Sequence, residues 1–203
     1  MELKLNLMDF ALKLKDSVYA PSDDSFMLAD ELVKRKGTKL LEIGCGCGLL
    51  SLIAARNGFE VFATDINPEA AYLTKENARA NGLYAKVNVV VCDLAACFKG
   101  EFDLIVFNPP YLPERSSGEL LDLATCGGEG GIEVLLNAAD HVKGLLKRGG
   151  SFLFILSSRS NVSAALNALT KEFAVRTLQR KKFFLEELAL FEATLKPRGA
   201  SAS

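Results

Sequence analysis

Histidine is almost missing from this 203-residue chain, His141 being the only one. A Ser-His-Asp or Cys-His-Asn arrangement would need it beside a nucleophile, yet it sits in a helical pattern with no such signature around it. The five cysteines (Cys45, Cys47, Cys92, Cys97 and Cys126) contain no Cys-x-x-Cys pair. The short ligand spacings of a structural zinc site are therefore absent, no metal site is expected, and reduced cysteines packed as small apolar residues are the simple reading. Charge of one sign is also lacking. With 24 basic and 25 acidic residues the formal net charge is −1, which excludes a broad electrostatic footprint for nucleic acid. No run approaches the ~20 apolar residues of a membrane span. The opening MELKLNLMDF has neither the basic region nor the apolar core of a secretion signal. The expectation is a soluble cytoplasmic protein without membrane association or stable nucleic-acid binding.

What the chain does have is alternation. An amphipathic helix is expected over 23–36, ended by Gly37, then a strand at 39–43, a Gly-rich turn, and a helix ending at Gly58. A second strand (60–64) precedes a helix over 68–82 that has Pro68 at its start and Gly82 past its end. Further strands are expected at 86–92, 103–107 and 151–157, a helix at about 131–147 closed by Gly149-Gly150, and a helix at 160–173. Two last strands, at about 174–179 and 186–195 and joined by a basic turn, suggest an antiparallel hairpin. The pattern is that of one α/β domain over 1–196, with a mainly parallel sheet covered by helices on both faces. Residues 197–203 (PRGASAS) are expected to be a disordered tail.

The first strand runs into Glu42-Ile-Gly44-Cys45-Gly46-Cys47-Gly48. Glycines at alternate positions let the backbone turn tightly and let a ligand lie against it. The spacing is not the G-x-G-x-x-G of dinucleotide folds, and no Lys-Ser/Thr follows as a phosphate loop requires. Glu42 would repel phosphate, and it suits a ligand carrying an amine or sulfonium. Asp65 ends the second strand, where it can accept from both ribose hydroxyls. Asp93 ends the third and can accept from an adenine amine, with Leu94 supplying a backbone N–H. Singly, Asp65 and Asp93 also read as helix caps. Three acids at the ends of three successive strands, beside a glycine turn, point to adenosine with a cationic amino-acid tail.

Here the chain resembles the class I S-adenosylmethionine-dependent methyltransferases over nearly its whole length. The resemblance implies a Rossmann-like seven-stranded mixed sheet, mostly parallel with one antiparallel strand. It makes Glu42, Gly44, Gly46, Asp65, Asp93 and Leu94 the cofactor residues. Upstream, VYAPSDDSF (18–26) is similar to the segment that closes over the cofactor's methionine end in the HemK-like protein methyltransferases, which implies a cofactor contact for Ser25. Without that resemblance Ser25 reads as an ordinary residue in the first turn of a helix.

The fourth strand ends in Asn108-Pro109-Pro110-Tyr111. Two prolines terminate the strand and make the turn rigid. A planar nitrogen is a poor nucleophile, because its lone pair is delocalised, so its N–H hydrogens must be held while the nitrogen faces the methyl group. The Asn108 side-chain oxygen and the Pro109 carbonyl can accept those hydrogens, Pro110 pre-organises them, and Tyr111 can lie against a flat amide. Asn108 thus faces both cofactor and acceptor. The motif itself leaves glutamine, adenine and guanine open.

Glutamine is favoured by the near-neutral chain, which has no separate region for reading nucleic acid. It is favoured also by resemblance to the archaeal and eukaryotic HemK-like release-factor glutamine methyltransferases. VYAPSDDSF, LEIGCGCG, TDINPEAA, VFNPPY and GGEGGIEV (127–134) fall in order, the last with Ile132 where arginine is common; read alone, that last stretch is also a flexible helix entry. The resemblance implies methylation of the glutamine in the Gly-Gly-Gln motif of a class I peptide chain release factor. It also implies a small zinc-binding activator that adds a strand at the third-strand edge, where Val87, Val89, Val90 and Val91 make an apolar border. Alternatives are an exocyclic amine of RNA or DNA, a protein lysine, or a non-catalytic cofactor-binding subunit; the intact Asn108–Tyr111 argues against the last.

Overall fold

Seven strands form one sheet in the order β3-β2-β1-β4-β5-β7-β6. The computed structural model describes residues 10–197 apart from Arg115 and Gly118. The strands are β1 (Lys39–Ile43), β2 (Glu60–Asp65), β3 (Val87–Val91), β4 (Phe102–Phe107), β5 (Leu146–Ser157), β6 (Phe173–Lys182) and β7 (Glu187–Leu195). Every neighbouring pair is parallel except β5–β7 and β7–β6, so β7 is the one antiparallel strand. Helices α1 (Asp23–Leu32), α2 (Leu49–Arg56), α3 (Pro68–Ala80), α4 (Glu133–Leu145) and α5 (Val162–Leu169) complete the α/β alternation. The expected tail lies, beyond Pro197, outside the described residues.

Strand alternation divides the core between the two sheet faces. Leu40, Val61, Val106 and Ile155 face Leu28 and Leu32 of α1, Leu52 of α2 and Leu73 of α3. Leu41, Ile105, Phe152 and Phe154 face Leu135 and Val142 of α4 and Leu169 of α5. The chain winds from β1 outward to β3, then returns to place β4 on the other side of β1. That reversal is the switch point at which open α/β sheets form a crevice beyond the strands' carboxyl ends. Gly44 and Asn108, the residues just past β1 and β4, flank it.

Four boundaries depart from expectation, each for a tertiary reason. Helix α1 stops at Leu32 instead of running to 36, because the Asn57 side-chain amide takes the carbonyls of Leu32, Val33 and Arg35 at 3.2, 3.0 and 2.8 Å. Gly149-Gly150 does not close a helix. It lies inside β5 at a register shift, with Gly149 at φ +80°, so the strand begins at Leu146. Helix α5 spans 162–169 because Asn161 caps it through the Ala164 N–H at 3.1 Å. The basic residues Arg180–Lys182 belong to β6 rather than to the turn, and Arg180 pairs across to Glu187 at 2.8 Å.

Candidate active site

All eleven residues singled out in the sequence line one cavity of about 510 Å³ at the switch point. Gly44, Gly46 and Gly48 follow β1 at φ +68°, +53° and +85°, a left-handed path that glycine follows without a Cβ clash. The Gly46 N–H donates to Asp65 Oδ2 at 2.9 Å, and the Asn67 N–H donates to Oδ1 at 2.9 Å. Asp65 therefore ties the end of β2 to the glycine turn. It is not the cap of α3: Asn67 holds that role, accepting from the Glu69 N–H at 2.9 Å. Burial raises the Asp65 pKa, and the two N–H donors pull it partly back.

Glu42 is 2% exposed, and the Ser51 hydroxyl donates to its carboxyl. Burial is the main force that pushes its pKa up to about 8, and the Asp65 charge adds to it against the Ser51 bond. The cavity thus holds a carboxyl that is largely protonated at neutral pH and gains from a cation placed beside it. On the far side, Asp93 follows β3 and is succeeded by a turn, not a helix, so the capping role falls away there too. Leu94 has φ +47°, the only non-glycine positive φ among the described residues. Such strain persists where surrounding structure fixes it, and it clusters at functional sites.

Asn108 emerges from β4 with its Oδ1 sealed from solvent and without a hydrogen-bond partner. An orphaned acceptor of this kind costs roughly 1–3 kcal/mol, and in a cavity wall it marks a place for a donor. Pro109 and Pro110 are buried behind it. The Tyr111 hydroxyl donates to Asp24 Oδ2 at 3.1 Å, and the Tyr19 hydroxyl donates to the same oxygen at 3.0 Å. Burial, reinforced by the Asp24 charge, raises both phenol pKa values, so both tyrosines stay protonated as donors. Ser25, 7% exposed, gives its N–H and its hydroxyl to Asp24 Oδ1 at 2.5 and 3.0 Å.

Asp24 and Tyr19 escaped the sequence reading. In SDDSF, Asp24 passes for an ordinary acidic helix start, and its contact with Tyr111 spans 87 positions. Ser51 escaped as well, since nothing local marks it as the partner of Glu42. Thr64, whose buried hydroxyl also lacks a partner, is a further cavity residue that carried no signal.

A sheet of this order with such a crevice beyond β1 and β4 defines a Rossmann-like methyltransferase, a class whose cofactor is S-adenosylmethionine. The chain belongs to the methyltransferase small domain family, whose model matches residues 20–185. A Methanocaldococcus jannaschii protein carrying the provisional name protein N5-glutamine methyltransferase is 37% identical over 187 residues, covering 90% of this chain and 94% of the relative. The human methyltransferase HEMK2 is 31% identical over 191 residues, 87% of this chain and 89% of that protein. In fold, the chain matches a chain of the E. cuniculi Mtq2-Trm112 complex, which is responsible for methylation of the translation termination factor eRF1. That match has TM-score 0.67 and 23% identity, over 89% of this chain and 99% of the other. Among the described residues no helix is long and apolar enough to cross a membrane, and no group of three or more His, Cys, Asp or Glu side chains could hold a metal.

Proposed function

We propose that this chain methylates the side-chain amide nitrogen of the glutamine in the Gly-Gly-Gln motif of a class I peptide chain release factor. The observation that carries this reading is the orphaned Asn108 Oδ1 on a doubly proline-stiffened turn. An amide NH₂ offers two hydrogens, and here two acceptors, Asn108 Oδ1 and the Pro109 carbonyl, stand on one rigid element. Holding both hydrogens turns the nitrogen lone pair toward the methyl donor, a near-attack alignment. Tyr111, anchored on Asp24, lies along the wall where a flat amide would stack. The name of the archaeal relative supports the choice of glutamine, and the solved eRF1-methylating complex supports a termination factor as its carrier.

The cofactor fits the remaining residues, and when bound it supplies an electrophilic methyl on a sulfonium sulfur. Glu42 faces its cationic tail, Ser25 its methionine end, and Asp65 its ribose. Asp93 and the Leu94 N–H take the adenine, while Gly44 and Gly46 admit it against the backbone. A small zinc-binding activator is the partner we assign to the β3 edge. There Val90 and Val91 are 41% and 53% exposed, while Val87 and Val89 are buried. A cytoplasmic location accords with a substrate used in translation.

Single-turnover transfer of labelled methyl to a release factor, with total tRNA and DNA in parallel, tests the reading. Asn108→Ala should slow transfer about 10²–10³-fold, the range for one lost transition-state hydrogen bond, with little change in cofactor affinity. Transfer to tRNA or DNA but not to the release factor would overturn the glutamine assignment. Equal losses of affinity and rate would overturn the role of Asn108.

A further inference from the structure

None of residues 127–133 lines the cavity, although this glycine-rich stretch lies directly behind the Asn-Pro-Pro-Tyr turn. We propose that it is a positioning clamp: Gly127 and Gly131 seat the backbone of Pro110 and Tyr111, and Glu133 holds the clamp in shape. The inference rests on reading Asn108–Tyr111 as the turn that orients the acceptor amide.

The geometry is close backbone against backbone. A Cβ at 127 would stand 2.5 Å from the Pro110 carbonyl oxygen, and one at 131 would stand closer still to the Tyr111 carbonyl oxygen. Neither carbonyl ends a flexible side chain, so an added methyl must displace the turn or the loop. Gly131 also sits at φ +67°. Hydrogen bonds lock the two segments together: the Gly127 N–H donates to the Leu112 carbonyl at 2.8 Å, and the Leu112 N–H donates to the Thr125 carbonyl at 3.0 Å. Glycine here is thus the means of close approach, not a source of flexibility.

The loop is itself held. Glu133, the first residue of α4, folds its carboxylate back to accept from the Gly130 N–H at 3.0 Å and the Ile132 N–H at 3.1 Å. Burial alone would raise its pKa, but these backbone donors win and hold it below the ordinary carboxylate value. The Gly130 carbonyl accepts from the Asn161 N–H at 2.9 Å, which joins the loop to the entry of α5. The turn is therefore fixed from behind by a loop, residues 127–133, that does not itself line the cavity. A displacement near 1 Å at a reacting centre can cost about 10²-fold in rate, so the clamp has leverage on catalysis without contact.

Two readouts on the full chain test this. In single-turnover methyl transfer, Gly127→Ala and Glu133→Ala should each slow transfer about 10–100-fold while cofactor affinity stays within about twofold. Glu133→Gln, which keeps an acceptor oxygen, should recover part of the loss. Gly144→Ala, whose added Cβ meets nothing within 4 Å, should transfer as the unaltered chain does. In hydrogen exchange, the amides of Leu112 and Gly127 should exchange faster in Gly127→Ala and Glu133→Ala, while those of β1 stay unchanged. Glu133→Ala keeps the test open should Gly127→Ala fail to fold. Unaltered rates in both alanine variants, or affinity falling in step with rate, would overturn the clamp. If the unaltered chain methylates no release factor, the substrate reading fails and exchange decides the clamp: unchanged Leu112 exchange overturns it.

Discussion

Cofactor binding should release a proton from Glu42. The carboxyl has a pKa of about 8 in the free protein, raised chiefly by burial. A sulfonium and an ammonium placed nearby favour the carboxylate, so the bound pKa falls. The sign then follows from linkage: between the bound and free pKa values, binding expels a proton, and affinity weakens as pH falls. At pH 7 about nine in ten Glu42 side chains are protonated, and ionising them costs about 1.4 kcal/mol, or roughly tenfold in affinity relative to pH 9. The cofactor's own α-amino group titrates near 7.7–8.0 and pulls the other way at high pH, so Glu42→Gln supplies the baseline to subtract. Calorimetry at pH 7 in two buffers of different ionisation enthalpy should count about 0.9 more protons released by the unaltered chain than by Glu42→Gln. An equal count, or the same pH slope in both proteins, would refute the reasoning and place the cationic tail away from Glu42. The same raised pKa destabilises the empty fold as pH climbs. Its contribution is fully present below the ordinary glutamate value near 4.5 and is lost through pH 8.

Asp65→Ala should weaken S-adenosylmethionine binding by about 1.5–3 kcal/mol, the range for hydrogen bonds to a charged group; calorimetry reads it. Val91→Lys places a charge on the exposed part of β3 and should abolish activation by a strand-adding partner while leaving Tm unchanged, as co-purification and thermal melts would show. Val89, though on the same strand, is buried and unsuited to that test. Glu192, 3% exposed, accepts from Arg35 at 2.6 Å, Ser151 at 2.8 Å and Arg176 at 2.5 Å. Glu192→Ala should cost about 3 kcal/mol, the low end for a broken buried pair, because both arginines keep some contact with water. Its pKa is pushed up by burial but lowered on balance by Ser151 and the two arginines. The stability it brings is therefore present above the ordinary glutamate value and lost as pH falls through the lower folded one, which acid unfolding with Glu192→Gln would check.

Strand ends were the legible part of this chain, for a physical reason. Parallel strands deliver their carboxyl termini to one edge, so residues as distant in sequence as Gly44 and Asn108 meet without any pairwise signal. The pairing of β6 with β7 was legible because two strand-like runs follow one another with only a short turn between them. Contacts between side chains and distant backbone were not. Nothing in residues 23–36 announces that Asn57 will end α1, and nothing in Gly149-Gly150 separates a helix stop from a bulge until β4 lies alongside. Asp65 shows where the two kinds of knowledge meet. From sequence it is a ribose acceptor or a helix cap, and both readings rest on the same Thr-Asp-Ile-Asn. The structure gives the cap to Asn67 and leaves Asp65 holding the Gly46 N–H across the switch point. A carboxylate kept at a burial cost, oriented by two backbone donors and excused from capping, has its remaining acceptor capacity free to face the cavity. Ribose hydroxyls would occupy the lone pairs that those two donors leave open.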